Sequence, residues 1–309
     1  MTLQMAERTQ RTRPKTRKAG KVSRREQATG WLFLAPFALT FLAFLVAPLL
    51  YALYLSLFQK QLIGGTSFVF LDNYSKAFTD PTFLDGAWFV VRFSAVSIPI
   101  QMLVALGMAL ILDTVTSAFS RFSRLMIFLP YAIPTVIGAL MWGFLYSKSF
   151  GPLNDVFGAS APDFLSSQLI FYGLLNIVTW QWTGYYMIIL FAALQGIDPT
   201  LYEAARIDGA SAWQIALRIK IPLITPALLL ILVFALIGTL QFFNEPEILR
   251  ELAAGAISPD YTPNMYAYHQ ALGLANFNYG AAISFALGGV VFVCVYVFMF
   301  LTRKRGSFF

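Results

Sequence analysis

Charged residues are scarce in this 309-residue chain: Asp, Glu, Lys and Arg together make up 12% of it. A soluble domain carries about 25%. Apolar residues reach 58% of the chain, and its mean hydropathy is +0.67. Because such a chain cannot cover its surface with water-facing groups, a soluble globular fold is excluded. The composition predicts an integral membrane protein.

Cysteine and histidine are almost absent as well. The sequence has one of each, Cys294 and His269. An intrachain disulfide therefore cannot form, and a zinc site built from several Cys and His ligands is not expected. The sequence also lacks a Gly-x-x-x-x-Gly-Lys-Ser/Thr phosphate-binding loop. We therefore expect no ATP hydrolysis, catalytic residue, metal or cofactor in this chain itself.

Long apolar segments dominate what is present. A membrane-crossing helix needs about 20 apolar residues, and the uninterrupted apolar runs favour helices over a membrane barrel. The predicted spans cover about 31–58, 87–112, 122–146, 169–196, 221–243 and 279–302. Between the spans, shorter helices are expected near 73–78, 246–254 and 265–275.

Basic residues lie mostly on one side of these spans. If the N-terminus is cytoplasmic, 17 Lys and Arg residues fall in cytoplasmic segments and four fall outside. Cytoplasmic loops carry such an excess, so the bias predicts an all-α bundle of six spans with both termini in the cytoplasm. Residues 1–27 are predicted to form a disordered basic tail and 28–309 the transmembrane domain. The tail is expected to touch lipid rather than nucleic acid.

A short polar segment, residues 197–221, separates the fourth and fifth spans. Asp198 is a good N-cap residue, and Pro199 suits the first helical position. Gly209 suits the left-handed residue that follows a helix. The spacing predicts a cytoplasmic helical hairpin whose first helix covers 199–208.

The second half of this hairpin also carries a helix-start signal, because Ser211 and Gln214 match a capping box. On the first helix, Ala204 and Ala205 leave a smooth surface that a partner can approach closely. Glu203 offers a charge to an arginine across an interface. An ordinary hairpin between two spans and a docking element both fit this pattern.

The hairpin contains the pattern Glu-Ala-Ala-x-x-Asp-Gly-Ala, followed by Ile-x-x-Pro. This pattern resembles the EAA loop of the permease subunits of binding-protein-dependent ABC importers. The matching residues are Glu203, Ala204, Ala205, Asp208, Gly209, Ala210, Ile219 and Pro222. The resemblance implies a type I ABC importer permease fold. It also implies that the first five of these residues contact a partner ATPase.

Further segments resemble the carbohydrate-uptake subgroup, similar to maltose and glycerol-phosphate permeases. These segments are Leu34–Pro36, Phe70–Tyr74, Leu129–Pro130 and Phe277–Ala282. The resemblance implies half of a sugar or oligosaccharide pathway in a bacterial or archaeal plasma (inner) membrane. The implied partners are two ABC ATPase subunits that use ATP and Mg²⁺, an extracytoplasmic sugar-binding protein and a second homologous permease. A heterodimer of permeases is preferred.

Polar and aromatic residues in the fourth span and at the end of the fifth are candidates for contact with the solute. Polar side chains inside a membrane tend to face a bundle interior or a cavity. The candidates are Gln181, Trp182, Tyr185, Gln241 and Asn244. Tyr185 and Gln241 resemble sugar-contacting positions of maltose-type permeases. Interfacial aromatic belts and interhelical hydrogen bonds are the alternative interpretation of all five.

Other functions stay open at this point. They are a type I ABC permease for a polyol, glycerol phosphate or polyamine, an ATP-independent carrier, and a membrane scaffold. Arg92 is the single basic residue assigned to the interior of a span, because Arg124 at the start of the third span is counted with the cytoplasmic segments. No acidic residue is identified within the spans, and both observations favour a neutral solute. Absence of a sequence repeat weighs against a carrier, and the EAA-like loop weighs against a scaffold. Many members of the family carry Gly-Gly-Pro after the fifth span, but this chain has Glu247–Leu252 there.

Overall fold

The computed structural model describes residues 24–61, 65–114 and 118–302, which are mostly helical. The α-helices, α1 to α15 in chain order, are Arg24–Phe41, Ala47–Ser56, Asp72–Thr79, Pro81–Asp113, Ala118–Ala132, Thr135–Tyr146, Pro152–Phe157, Ile170–Gln195, Pro199–Ile207, Ala212–Ile215, Ile221–Leu223, Thr225–Leu240, Asn244–Leu249, Pro263–Tyr268 and Phe277–Thr302. Wider π turns cover Leu42–Val46, Ala216–Lys220 and His269–Gly273, and a 3₁₀ turn covers Gly158–Ser160. An antiparallel pair of strands, β1 (Phe58–Lys60) and β2 (Thr66–Phe68), interrupts the all-α pattern that the sequence predicts.

Five helical stretches in the described residues are long and apolar enough to cross a membrane, and a bent pair brings the number to six if it forms one span. The five are Thr29–Ser56, Pro81–Asp113, Ile170–Gln195, Thr225–Leu249 and Phe277–Thr302. Two boundaries differ from the prediction. α4 begins at Pro81 because the Oδ1 of Asp80 accepts a hydrogen bond from the Thr82 N–H and caps the helix before the apolar run. The fifth stretch continues through α13.

The third predicted span, 122–146, is not one straight helix. α5 and α6 meet at an angle of 95°. The break lies at Ile133 and Pro134, because proline has no N–H to donate and disfavours helical geometry in the residue before it. A single apolar run in the sequence therefore becomes two helices with irregular backbone between them.

The chain divides into two compact units, Met1–Tyr51 and Ala52–Phe309. In the first unit, no residue described from Thr29 onward is buried, and Phe33 and Phe44 are each 82% exposed. Apolar side chains in such numbers require lipid or another subunit to cover them. The tail predicted to be disordered covers residues 1–27. Residues 24–27 belong to α1 instead, and residues 1–23 lie outside the described residues.

In the second unit, α8 is the central helix and packs against α4 and α5. Phe93 of α4 and Leu174 and Ile177 of α8 are fully buried in one apolar cluster. Gly184 lets α8 approach α5 closely, because a Cβ at this position would lie 2.0 Å from the carbonyl oxygen of Ile127. The core therefore depends on contacts between helices that are distant in the sequence.

The helices outside the spans follow the predictions in part. α3 matches the helix expected near 73–78, and α14 with its π turn occupies Pro263–Gly273 instead of 265–275. α13 ends at Leu249, well short of the predicted 254. The buried Asn73 amide joins α3 to the strands by donating to the Ser56 and Phe58 carbonyls, at 2.8 and 2.9 Å.

Candidate functional site

The hairpin after α8 folds as its local sequence predicts. The Oδ1 of Asp198 begins α9 by accepting hydrogen bonds from the N–H and the hydroxyl of Thr200, at 2.9 and 2.8 Å. The backbone hydrogen bond first, and then the hydroxyl, hold the pKa of Asp198 below its usual range. α9 ends at Ile207, and Gly209 then reverses the chain with a φ of +80°.

Ser211 and Gln214 form the predicted capping box at the start of α10. The Ser211 N–H donates to the Gln214 Oε1 at 2.7 Å, and the Gln214 N–H donates to the Ser211 Oγ at 3.3 Å. The helical path then continues through a π turn to Lys220. Residues close together in the sequence therefore determine the shape of this hairpin.

The surface of α9 is open, and none of its residues is buried. Ile207 is 87% exposed, and Trp213 on the second half of the hairpin is 70% exposed. Glu203 and Arg206 are exposed too, and neither forms an ion pair within the described residues. Exposed apolar side chains among charged ones make this surface a candidate for binding another molecule.

An open cavity of about 280 Å³ lies at the turn of the hairpin. Its lining residues are Asp208, Gly209, Ala210, Gln214, Arg218 and Ile219. Of the five residues predicted to contact an ATPase, Asp208 and Gly209 line this cavity, and Glu203, Ala204 and Ala205 lie on α9 before it. The helix and the cavity together offer a ridge and an adjacent recess to a partner.

Tyr185 and Trp182 of α8 belong to an aromatic cluster that also contains Tyr131 of α5. The Tyr131 and Tyr185 rings are stacked, with centroids 4.4 Å apart and planes 16° apart. Trp182 meets Tyr131 edge-on at 5.4 Å. All three side chains are half-buried, so the cluster keeps part of its surface accessible.

Gln181 is buried, at 2% exposure, beside the break between α5 and α6. Its Nε2 donates to the Ile133 carbonyl and to the Thr135 Oγ1, each at 3.1 Å. The Ile133 carbonyl lies between the end of α5 and the start of α6, where no continuous helix supplies it with a donor, and the Gln181 amide satisfies it instead. The Oε1 of Gln181 is buried with no hydrogen-bond partner among the described residues.

Gln241 follows α12 and Asn244 begins α13, and both side chains are exposed. No hydrogen bond or ring contact within the described residues connects either of them to the aromatic cluster. The structure therefore brings Trp182 and Tyr185 together and places Gln181 at the neighbouring helix break. It does not link the two polar residues at the end of the fifth stretch to this group.

Sequence reasoning missed two residues in this region. Glu245 is 6% exposed and lies in the apolar stretch Thr225–Leu249, past the end of the fifth span predicted at 221–243, so the sequence prediction did not count it among the residues of that span. The apolar residues that follow, Ile248 and Leu249, are the signal that the helical stretch continues past Pro246. Tyr131 was missed because it lies on another helix, and nothing in the sequence connects it to Tyr185.

Comparison with known proteins identifies the class of this chain. Residues 101–304 match the family of binding-protein-dependent transport system inner membrane components, and the chain belongs to this family. It is therefore a permease subunit of an ABC transporter with several membrane-spanning helices. The lactose transport system permease protein LacF of Rhizobium radiobacter is 30% identical over 94% of this chain and 99% of its own length. The trehalose/maltose transport system permease protein MalF of Thermococcus litoralis is 29% identical over 93% and 97%.

A solved structure has the same fold. One chain of a bacterial alginate ABC transporter, crystallised in complex with an alginate pentasaccharide-bound periplasmic protein, matches with a TM-score of 0.79. The match covers 91% of this chain and 96% of that chain. The two sequences are 24% identical, so this likeness establishes the fold alone.

Proposed function

We propose that this chain is the permease subunit of an ATP-driven importer and forms half of the pathway for a sugar or oligosaccharide. The observation that carries the proposal is the hairpin, whose first helix is well capped and yet has no buried residue. Such a helix on the cytoplasmic side requires a partner. Glu203, Ala204, Ala205, Asp208 and Gly209 are the residues proposed to contact an ABC ATPase.

The proposed topology has six spans with both termini in the cytoplasm of a bacterial or archaeal cell. The bent pair α5 and α6 counts as one span in this arrangement. Arg121 and Arg124 at the start of α5 then lie on the same side of the inner membrane as Arg206 and Lys220. That distribution agrees with the rule that cytoplasmic segments are rich in Lys and Arg.

In the proposed complex, two ABC ATPase subunits bind ATP and Mg²⁺ and supply the energy. Their closure on ATP displaces α9, which moves the spans and turns the pathway outward towards a loaded extracytoplasmic binding protein. Hydrolysis of ATP resets the pathway inward. A second homologous permease supplies the other half. A heterodimer is preferred because the basic N-terminal extension and Phe70–Tyr74 resemble the first of two non-identical permeases.

A carbohydrate is the proposed solute because LacF and MalF are named for lactose and for trehalose and maltose. Tyr131, Trp182 and Tyr185 supply partly accessible aromatic faces, which stack on flat apolar surfaces such as those of sugar rings. Gln241 and Asn244 supply exposed amides for hydroxyl groups. Gln181 contributes by holding the helix break beside this cluster.

Purification of the chain in mild detergent from its native cell, with mass spectrometry of what accompanies it, tests the proposal. We expect an ABC ATPase, a second permease and a binding protein. The binding protein is then screened against lactose, trehalose, maltose and longer oligosaccharides, with polyols and glycerol phosphate as competing classes. Recovery of this chain alone, in a preparation where a known ABC complex survives, would contradict the importer. A binding protein that takes only polyols or glycerol phosphate would contradict the carbohydrate.

A further inference from the structure

Four side chains from four separate elements meet at the base of the hairpin. Asp113, the last residue of α4, forms an ion pair with the Nζ of Lys220 through its Oδ2. Its Oδ1 accepts a hydrogen bond from the Nε2 of Gln195, the last residue of α8, at 2.7 Å. The Nζ of Lys220 also lies 4.9 Å from the ring centroid of Tyr202 on α9. The Lys220 ammonium group and the Asp113 carboxylate thus connect α4, α8, α9 and the π turn Ala216–Lys220.

Burial distinguishes this ion pair from the others between described residues. The Lys220 and Asp113 side chains are 11% and 7% exposed, whereas those of the Lys148–Asp163 pair are 62% and 32% exposed. An exposed pair contributes little because water and salt screen it. A buried pair resists separation, because each group would be left as an unpaired charge away from water. Burial, and then the charge of Asp113, raise the pKa of the Tyr202 hydroxyl above its ordinary value.

The chain itself provides no short connection between α4 and the hairpin. The backbone attaches the hairpin to α8 through residues 196–198 and to α12 at Ile224, whereas α4 ends at Asp113, far earlier in the sequence. Side chains must therefore make any firm attachment of the hairpin to α4. The buried pair of Asp113 and Lys220 supplies such an attachment.

We propose that the Asp113–Lys220 pair is a rigid joint through which displacement of the hairpin moves α4. Asp113 and Lys220 are positioning residues in this role, and the inference rests on the proposed function, in which an ATPase displaces α9. Gln195 holds the carboxylate and includes the end of α8 in the same joint. The exposed side of the hairpin stays available to the ATPase while its base is fixed to the spans.

Distance measurement between two spin labels in the complete complex tests the joint. Cys294, the native cysteine, is first replaced in Cys294→Ser. Labels are then attached at Leu217→Cys on the hairpin and Leu103→Cys on α4, which are exposed positions at 45% and 69%. Leu103 lies about 15 Å along the helix axis from Asp113. Distances are recorded with and without Mg²⁺ and the non-hydrolysable ATP analogue AMP-PNP.

A rigid joint predicts one narrow distance peak that AMP-PNP does not move. In Asp113→Asn and Lys220→Met the nucleotide should shift or broaden the peak, although the ATPase still co-purifies. The charge exchange Asp113→Lys with Lys220→Asp should restore the narrow peak, since the amide of Gln195 can turn to accept from a lysine. The matched control Lys148→Met removes an exposed pair and should leave the peak unchanged.

Three results would contradict the proposed joint. The first is a distance peak that AMP-PNP moves in the unaltered protein. The second is a peak that stays fixed in both single variants, and the third is failure of the charge exchange to restore a fixed peak. Failure of the proposed function looks different, because no ABC ATPase would then co-purify with the unaltered chain. If one single variant does not fold, the protein with the two charges exchanged still tests the joint, because it keeps an ion pair at the same two positions.

Discussion

The hairpin and the broken third span are both short interruptions of apolar helix, but they are stabilised in opposite ways. In the hairpin, Asp198 bonds to Thr200 and Ser211 bonds to Gln214, so each polar partner lies within three residues. At the break, the Ile133 carbonyl receives its donor from Gln181, 48 residues later. A local interruption can remain exposed and free to bind a partner. A break stabilised from a distance is part of the helix packing.

This contrast predicts different consequences of substitution in the two regions. Changes around the break should affect folding of the whole chain, because they alter contacts between helices. Changes at the turn and on the exposed face of the hairpin, away from its base at Lys220, should leave the bundle folded and affect only the attachment of a partner. The predictions that follow test this division, from the largest expected effect to the smallest.

Gly184→Ala should be the most damaging. The new Cβ would lie 2.0 Å from the Ile127 carbonyl oxygen, a backbone atom that cannot turn away, so α8 and α5 would be forced apart. We expect a loss of at least about 3 kcal/mol of stability, above the usual range for overpacking. The measurement is the yield and unfolding temperature of the purified protein. Gly238→Ala on α12 is the control, because its Cβ would meet nothing within 4 Å. Equal loss in both variants would contradict the packing argument.

Gly209→Val and Glu203→Lys should abolish uptake without unfolding the bundle. The φ of +80° at Gly209 is strained for a β-branched residue, by about 1–2 kcal/mol, and that strain is confined to the turn. Glu203→Lys reverses an exposed charge on the proposed docking face. The ATPase that co-purifies per chain should fall sharply in both variants, while membrane insertion and unfolding temperature stay normal. Gly255→Val, at an uncrowded glycine without positive φ, is the control. Normal uptake in both hairpin variants would contradict the docking assignment.

Gln181→Leu should destabilise the chain by about 1–3 kcal/mol, because the Ile133 carbonyl would lose a buried donor. Gln101 on α4 provides the matched comparison. It is 1% exposed, and its Nε2 has no hydrogen-bond partner among the described residues. Gln101→Leu removes that unpaired group and should leave the unfolding temperature unchanged or raise it. A Gln181→Leu protein that loses no more stability than Gln101→Leu would show that the Gln181 amide does not stabilise the break.

The same contrast explains which structural features could be predicted from the sequence. The caps, the turn at Gly209 and the extent of α9 follow from residues a few positions apart, and they were predicted almost to the residue. The break at Pro134 and the association of Tyr131 with Tyr185 were not predicted. Both depend on which helices become neighbours in the folded chain. A proline in an apolar run signals a possible kink, but its angle depends on partners such as Gln181.

The smallest expected effect is a pH dependence at the start of α9. Hydrogen bonds from Thr200 lower the pKa of Asp198 in the folded chain, so its stabilisation of the helix is complete above the ordinary value of 3.8. It is lost as pH falls through the lowered pKa. Hydrogen exchange of the amides of residues 200–207 should therefore stay slow down to about pH 4 and quicken below, relative to an unstructured peptide. Asp198→Asn keeps an oxygen acceptor but cannot titrate, so this dependence should disappear. Identical pH profiles in the two proteins would show that Asp198 is not what holds the helix start.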